Sequence, residues 1–297
     1  MIKRLLFFTF IFFIAGIFQV SAKRVPGSDT CWTRRGDVGL NLTQASFSNW
    51  SAGGENTIGF VVNLNYSADM KKGKHLWQNR FETSYGFNKT ESDGHKKTSD
   101  KIYLSSNYGY NVGKAWYISA MANVQTQYTD GFNYSMKPKD RISAFLAPAH
   151  VTAGLGAKWN PKPFFTATLS AASWRGVIVR EEELRESYGI DIDKNIRNEF
   201  GGDLTFEYNQ YVMKNINLFS RLQFFSDYLN NPENVDLSWD VKILLTVNKW
   251  FSASITTSML YDDDTKTKVT DAAGNTSLAG PKLQFKEMLG IGFSFAF

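Results

Sequence analysis

Side chains able to do chemistry are few and scattered in this 297-residue chain. There are three histidines, His75, His95 and His150, and a single cysteine, Cys31. His75 and His95 fall in polar connecting segments, where imidazoles are solvated. His150 is the candidate of interest, because a membrane-embedded hydrolase of the phospholipase kind needs Ser, His and Asn together on one wall. Yet His150-Val151-Thr152 carries Thr where a nucleophilic Ser is wanted, and no partner base accompanies it. One cysteine cannot form an intramolecular disulfide, and without clustered histidines a transition metal has no ligand set. Asp262-Asp263-Asp264 and Asp191-Ile192-Asp193 offer oxygen ligands to calcium, but the Gly and distal Glu of an EF-hand loop are misplaced. Solvated loop acids are the expectation, with no metal and no cofactor.

The informative charges are Arg80, Glu82, Asp203, Glu207, Arg221, Asp240 and Lys242. Each sits opposite an apolar row in a segment of period two. Phe81, Thr83, Tyr85 and Phe87 oppose Arg80 and Glu82, and Leu204, Phe206 and Tyr208 oppose Asp203 and Glu207. Alternate residues of a strand face opposite ways, so these segments have one apolar and one charged face. If lipid covers the apolar face, a charge turned toward it at mid-membrane would cost roughly 2–4 kcal/mol, which sends the charged face into a lumen. Paired charges would knit a narrow barrel shut, for example Asp203 or Glu207 with Arg221 on the neighbouring strand. Unpaired, on opposite walls, they would set up a transverse field in a small pore. About twelve strands leave limited room, which favours a largely filled lumen.

The element that argues for lipid is the last. From Leu289 to Phe297, Leu, Ile and Phe alternate with Gly, Ser and Ala, and the residues end on Phe293, Phe295 and Phe297. An exposed aromatic row needs a covering. A lipid-covered closing strand of a transmembrane barrel satisfies that need, and the terminal Phe pattern is similar to the signal read by barrel-assembly machinery. At the other end, Lys3 and Arg4 precede an apolar run from Leu5 to Val20 and then Val20-Ser21-Ala22. That is the pattern of a signal peptide over residues 1–22, with cleavage after Ala22. A mean hydropathy of −0.30 would suggest a soluble protein, but a barrel evades that test because polar lumen residues alternate with apolar ones. The aromatic content of 15% suits lipid-facing girdles. The net charge of +5 is spread over turns and loops, including Lys71, Lys72 and Lys74, and does not outline a nucleic-acid surface.

Read in order, residues 23–36 form a periplasmic lead-in and residues 37–297 the barrel, with strands of about 10–14 residues, close to what a tilted span requires. The spacing predicts tight connections at 111–114, 160–163 and 248–249, and long ones at 88–99, 129–140, 175–197 and 262–282. A short helix is expected over Glu181–Tyr188, and a single bent strand over Ile142–Trp159 around Pro148. Alternating short and long connections are the periplasmic and extracellular sides of a bacterial barrel. Trp77, Trp116, Trp159 and Trp250 all lie beside the even-numbered connections, which would place them in a periplasmic girdle.

The segment Phe47-Ser48-Asn49-Trp50-Ser51-Ala52-Gly53-Gly54-Glu55-Asn56 resembles the domain-of-unknown-function 3078 family. Lys97-Thr98-Ser99-Asp100-Lys101, Tyr261-Asp262-Asp263-Asp264 and Leu283-Gln284-Phe285-Lys286-Glu287 are similar to it as well. The resemblance implies an outer-membrane β-barrel of Gram-negative bacteria and brings no catalytic residue. Gly53 and Gly54 suit a tight loop, since Gly tolerates positive φ, and Asn49 and Trp50 are expected to pack that loop or to meet a ligand. The expectation is therefore a non-enzymatic barrel in the cell outer membrane, a narrow channel or a structural or binding scaffold. Its partners would be lipid, the assembly machinery, and a small solute or extracellular ligand, with no nucleic acid. The alternatives are a hydrolase using His150 and a soluble periplasmic β-protein.

Overall fold

The computed structural model describes residues 31–45, 57–90, 94–134, 139–248, 250–264, 267–270 and 276–297. Twelve antiparallel strands close on themselves in the unit Trp32–Phe297. They are β1 (Trp32–Ala45), β2 (Thr57–Lys72), β3 (His75–Thr90), β4 (Gly94–Gly113), β5 (Trp116–Thr126), β8 (Ala149–Lys162) and β9 (Phe165–Ile178). The ring continues with β10 (Ile196–Met213), β11 (Ile216–Asp227), β12 (Asp236–Thr246), β13 (Phe251–Tyr261) and β16 (Gln284–Ala296). Around the ring the order is β1, β16, β13, β12, β11, β10, β9, β8, β5, β4, β3, β2. Closure comes from β1 against β16, with Val38 opposite Phe295 and Leu40 opposite Phe293. A closed ring leaves no strand edge with unpaired N–H and C=O groups.

What lies inside and outside follows from the alternation, and it is inverted relative to a soluble core. Among the described residues, thirteen buried side chains are polar or charged and eleven apolar. The large apolar side chains stand on the outer wall: Leu42, Ile58, Ile118, Leu155, Leu169, Leu289 and Phe293 are each more than half exposed. A continuous apolar wall is far larger than the patches soluble proteins leave bare, and a bilayer is the solvent that fits it. Trp77, Trp116, Trp159 and Trp250 crowd the turn end of this wall. Trp116 stacks on Trp159 at 6.1 Å, Trp32 meets Trp77 at 5.6 Å and Trp250 stacks on Phe295 at 6.1 Å.

Several strand limits differ from expectation. The first strand begins at Trp32, so Trp32–Gly36 of the expected lead-in is ladder, with Arg34 opposite Ala68. Residues 88–90 and 94–99 extend β3 and β4 rather than forming a loop. The cause is the same in both places: backbone pairing continues past the apolar belt into water, where both faces of a strand can be polar. At the turn end the connections shrink to residues 73–74, 114–115, 163–164 and 214–215.

The loop end is more ordered than its polar composition implied. The strand expected over Ile142–Trp159 is split, because the chain turns back at Ala144–Ala147, with Leu146 at φ 55. Its first part, β7 (Asp140–Ser143), pairs instead with β6 (Gly131–Asn133). A second hairpin, β14 (Thr267–Thr270) with β15 (Thr276–Ala279), occupies the segment expected as a loop before β16. The insertion after β9 spans residues 179–195, since Arg175 and Arg197 belong to strands. It holds the expected helix as α1 (Glu182–Arg185), followed by a 3-10 turn over Glu186–Tyr188.

Two glycines permit close strand approach. A Cβ on Gly156 would meet the Leu169 carbonyl oxygen, and one on Gly201 the Ser226 carbonyl oxygen, both inside van der Waals contact. Both positions adjoin register shifts, at Leu155/Ala157 and Gly201/Asp203, where the ladder bends.

Candidate functional site

The polar side chains gathered inside the ring form three layers. At mid-height, Arg221 on β11 reaches Glu82 on β3 at 2.8 Å and its neighbour Glu207 on β10 at 3.4 Å. Glu82 also takes Lys101 of β4 at 3.4 Å, and Lys101 reaches Asp240 of β12 at 3.5 Å. The chain Asp240, Lys101, Glu82, Arg221, Glu207 alternates in sign throughout. β3 and β11 stand six places apart in the ring of twelve, as do β4 and β12, so both cross-links span the barrel from wall to wall. Tyr103 lies against the Arg221 guanidinium, 4.7 Å from ring centre to carbon, and Phe219 at 5.1 Å. Planar guanidinium suits this place, forking between two carboxylates while its faces stack.

Nearer the loop end, Arg175 bonds both Glu199 and Asp236, with the Phe225 ring 4.0 Å from its guanidinium carbon. Arg197 donates to Glu199 at 2.7 Å and approaches Asp264 at 3.5 Å and Asp262 at 3.9 Å. Glu199 is 1% exposed and held between two arginines, the arrangement a buried carboxylate requires. His150 faces this layer, by its alternation with outward Leu155. Asp262 and Asp264 are thus partners of an arginine, and no group of residues suited to a metal is found among the described residues.

Over this layer sits an apolar lid. Ala144, Ala147, Val177, Val179, Leu184 and Ile190 pack together with Tyr188 beside them. Polar ties fasten it: Arg141 donates to Glu183 and Glu181 at 2.7 Å each, and Tyr188 Oη donates to the Ile142 carbonyl at 2.9 Å. The bonds to Glu183 and Glu181 hold the Arg141 guanidinium above its ordinary pKa, and burial, aided by Asp262, pushes Tyr188 up to about 12.

Toward the turn end lies a cavity of about 70 Å³ lined by Gln78, Arg80, Tyr103, Lys158, Glu207 and Arg221 among others. Lys158 is 2% exposed and donates to the amide oxygens of Gln78 and, at 3.2 Å, Asn107. Arg80 is paired with Asp69 on β2.

The expected lumen charges therefore divide. Glu207 pairs with Arg221 as anticipated, while Asp203 does not. Asp203 is fully buried and accepts from Gln223 and, at 2.9 Å, Thr205, because the Arg221 fork is filled by Glu82 and Glu207. Lys242 has no carboxylate within 4.0 Å among the described residues. Phe293, Phe295 and Phe297 stand about half exposed on the outer wall. Asn49, Trp50, Gly53 and Gly54 lie outside the described residues, as does the segment 1–22. Lys101 and Lys158 escaped notice in the sequence, although each alternates with outward apolar neighbours, Ile102 and Leu104 in one case and Ala157 and Trp159 in the other. Arg175 and Arg197 escaped it because a polar stretch concealed the ends of their strands.

Residues 42–132 match the family described as "Protein of unknown function (DUF3078)", under a third of the chain. No curated protein matches the chain. Among solved structures, the chain is similar to an outer membrane channel from Pseudomonas putida F1, at 10% identity over 89% of this chain and 95% of that one, with a TM-score of 0.38. It is also similar to the NanC porin, at 9% identity over 87% and 98% with a TM-score of 0.38. A third is the translocator domain of the autotransporter NalP from Neisseria meningitidis, at 11% identity over 90% and 88% with a TM-score of 0.34. Likenesses this distant carry no functional argument, and the barrel rests on the chain's own ladder.

Proposed function

We propose that this chain is a non-enzymatic outer-membrane barrel whose lumen is a narrow conduit held shut at mid-height by charged cross-links. The observation that carries this is the Arg221–Glu82 bridge between strands on opposite walls, reinforced by Lys101–Asp240 across the neighbouring pair of opposite strands. The turns at one end and longer connections at the other match a bacterial barrel with its short side in the periplasm. Its partners are membrane lipid around the apolar wall and the assembly machinery, for which Phe293, Phe295 and Phe297 are the signal. Residues 1–22 act as the cleaved signal peptide that delivers it. A hydrolase built on His150 is the weaker reading, because His150 faces the charged lumen by its alternation with outward Leu155.

Conductance in a planar bilayer tests the closed lumen. Folded wild-type barrel should show at most rare, small openings, and the double substitution Glu82→Ala with Arg221→Ala should give frequent salt-dependent steps. Large steady currents from the wild type would overturn the closed reading, as would silence from a folded double variant.

A further inference from the structure

From the cavity at the turn end, we infer that the barrel binds a small oxyanion between Lys158 and Arg80. This depends on the ring and its cavity, not on whether the lumen conducts.

Lys158 carries the argument. Its ammonium is nearly fully buried, yet its two hydrogen-bond partners are the neutral amides of Gln78 and Asn107. Among the described residues no carboxylate lies within 4.0 Å of it. An ammonium removed from water without a counter-charge is strongly disfavoured, and buried charges in proteins are as a rule paired. Amide oxygens orient the ammonium but supply no charge, and they occupy two of its three N–H groups, leaving one donor.

The surrounding walls have the same bias. Three cations, Arg80, Lys158 and Arg221, line the cavity with a single carboxylate, Glu207. That carboxylate is engaged by Arg221 at 3.4 Å. Arg80 uses one guanidinium nitrogen, Nη1, for Asp69 and the Asn79 carbonyl, so donors on its other nitrogens remain for a ligand. Apart from the Met121 thioether, the remaining lining is hydroxyl and amide, including Ser105, Asn123 and Thr168, groups that can donate to oxyanion oxygens. The volume of about 70 Å³ has room for roughly five waters or one small oxyanion. The chemistry is that of inorganic phosphate or sulfate, or of a short carboxylate.

Titration calorimetry on the folded, detergent-solubilised full-length barrel tests this, with inorganic phosphate, sulfate and acetate each added in a chloride buffer. Thermal unfolding in the same buffers is the second readout. Wild type should bind at least one of the three and unfold at a higher temperature in its presence, since a ligand that binds only the folded state stabilises it. Lys158→Met should weaken binding by at least about tenfold and lose the anion-dependent shift. Arg80→Gln should weaken binding while leaving Lys158 in place, which guards against a Lys158 variant that fails to fold. Wild type that binds none of the three, or a Lys158→Met barrel that binds as well as wild type, would overturn the site. Neither result bears on the bilayer currents, so the closed lumen and the anion site stand or fall separately.

Discussion

Arg221 and Lys158 show how differently two buried cations can be treated by one barrel. Arg221 is shared by two carboxylates and two aromatic rings, so losing it leaves Glu207 without its cation and Glu82 with Lys101 alone. Breaking a buried pair from one side costs about 3–5 kcal/mol, and Arg221→Ala should lower stability in denaturant by that order. Lys242 has no such partners, so Lys242→Ala should change stability far less, and the two midpoints measured side by side separate belt from bystander. Gly156→Ala is expected to be disruptive for another reason. Its methyl would collide with the Leu169 carbonyl on the adjoining strand, and backbone cannot swing aside as a side chain does. Folded yield and unfolding midpoint would both fall.

At the scale of elements, the insertion of residues 179–195 and the β6–β7 hairpin form one lid. Leu184, at 2% exposure, is its apolar centre, and Arg141 ties hairpin to insertion through Glu181 and Glu183. Truncating a leucine so placed costs about 2–5 kcal/mol, more than a loop can lose and stay docked. Leu184→Ala should therefore expose the insertion to protease while the barrel itself stays intact on a gel. Alkali should loosen the same lid. The Tyr188 phenol has its pKa raised from 10.0 to about 12, so the undocked lid releases its proton first. Stability contributed by the neutral phenol is full below pH 10 and is lost as pH rises toward 12. Protease sensitivity should climb across that window in wild type. Tyr188→Phe, which has no proton to lose and no bond to the Ile142 carbonyl, should be more sensitive at neutral pH and flat with alkali.

On the scale of the whole molecule, a closed ladder with a polar inside and an apolar outside should unfold as one unit, because no strand can leave without exposing both neighbours' edges. Unheated samples should migrate as a compact band that shifts only on boiling, and extraction should require detergent. A salt wash that releases the protein would contradict the apolar wall.

Much of this was legible in the residues themselves. Alternation with period two in segments such as Leu289–Phe297 places each side chain on one of two faces whatever the fold, and charge against lipid is costly enough to say which face is inner. That reasoning yields a barrel of about twelve strands, the tryptophan girdle and the inward direction of Arg80, Glu82, Asp203, Glu207, Arg221, Asp240 and Lys242. The Glu207–Arg221 pair was also within reach, since neighbouring strands joined by a tight turn have a readable register. Contacts across the lumen were not. Which residue meets Glu82 depends on ring size, strand tilt and shear, which belong to the closed ladder and to no local segment. So Arg221 against Glu82, Lys101 against Asp240 and the burial of Lys158 against the neutral amides of Gln78 and Asn107 were decided by closure alone. The strand ends and the lid were hidden for a related reason: in water a polar sequence can be ladder or loop, and only its pairing partners choose.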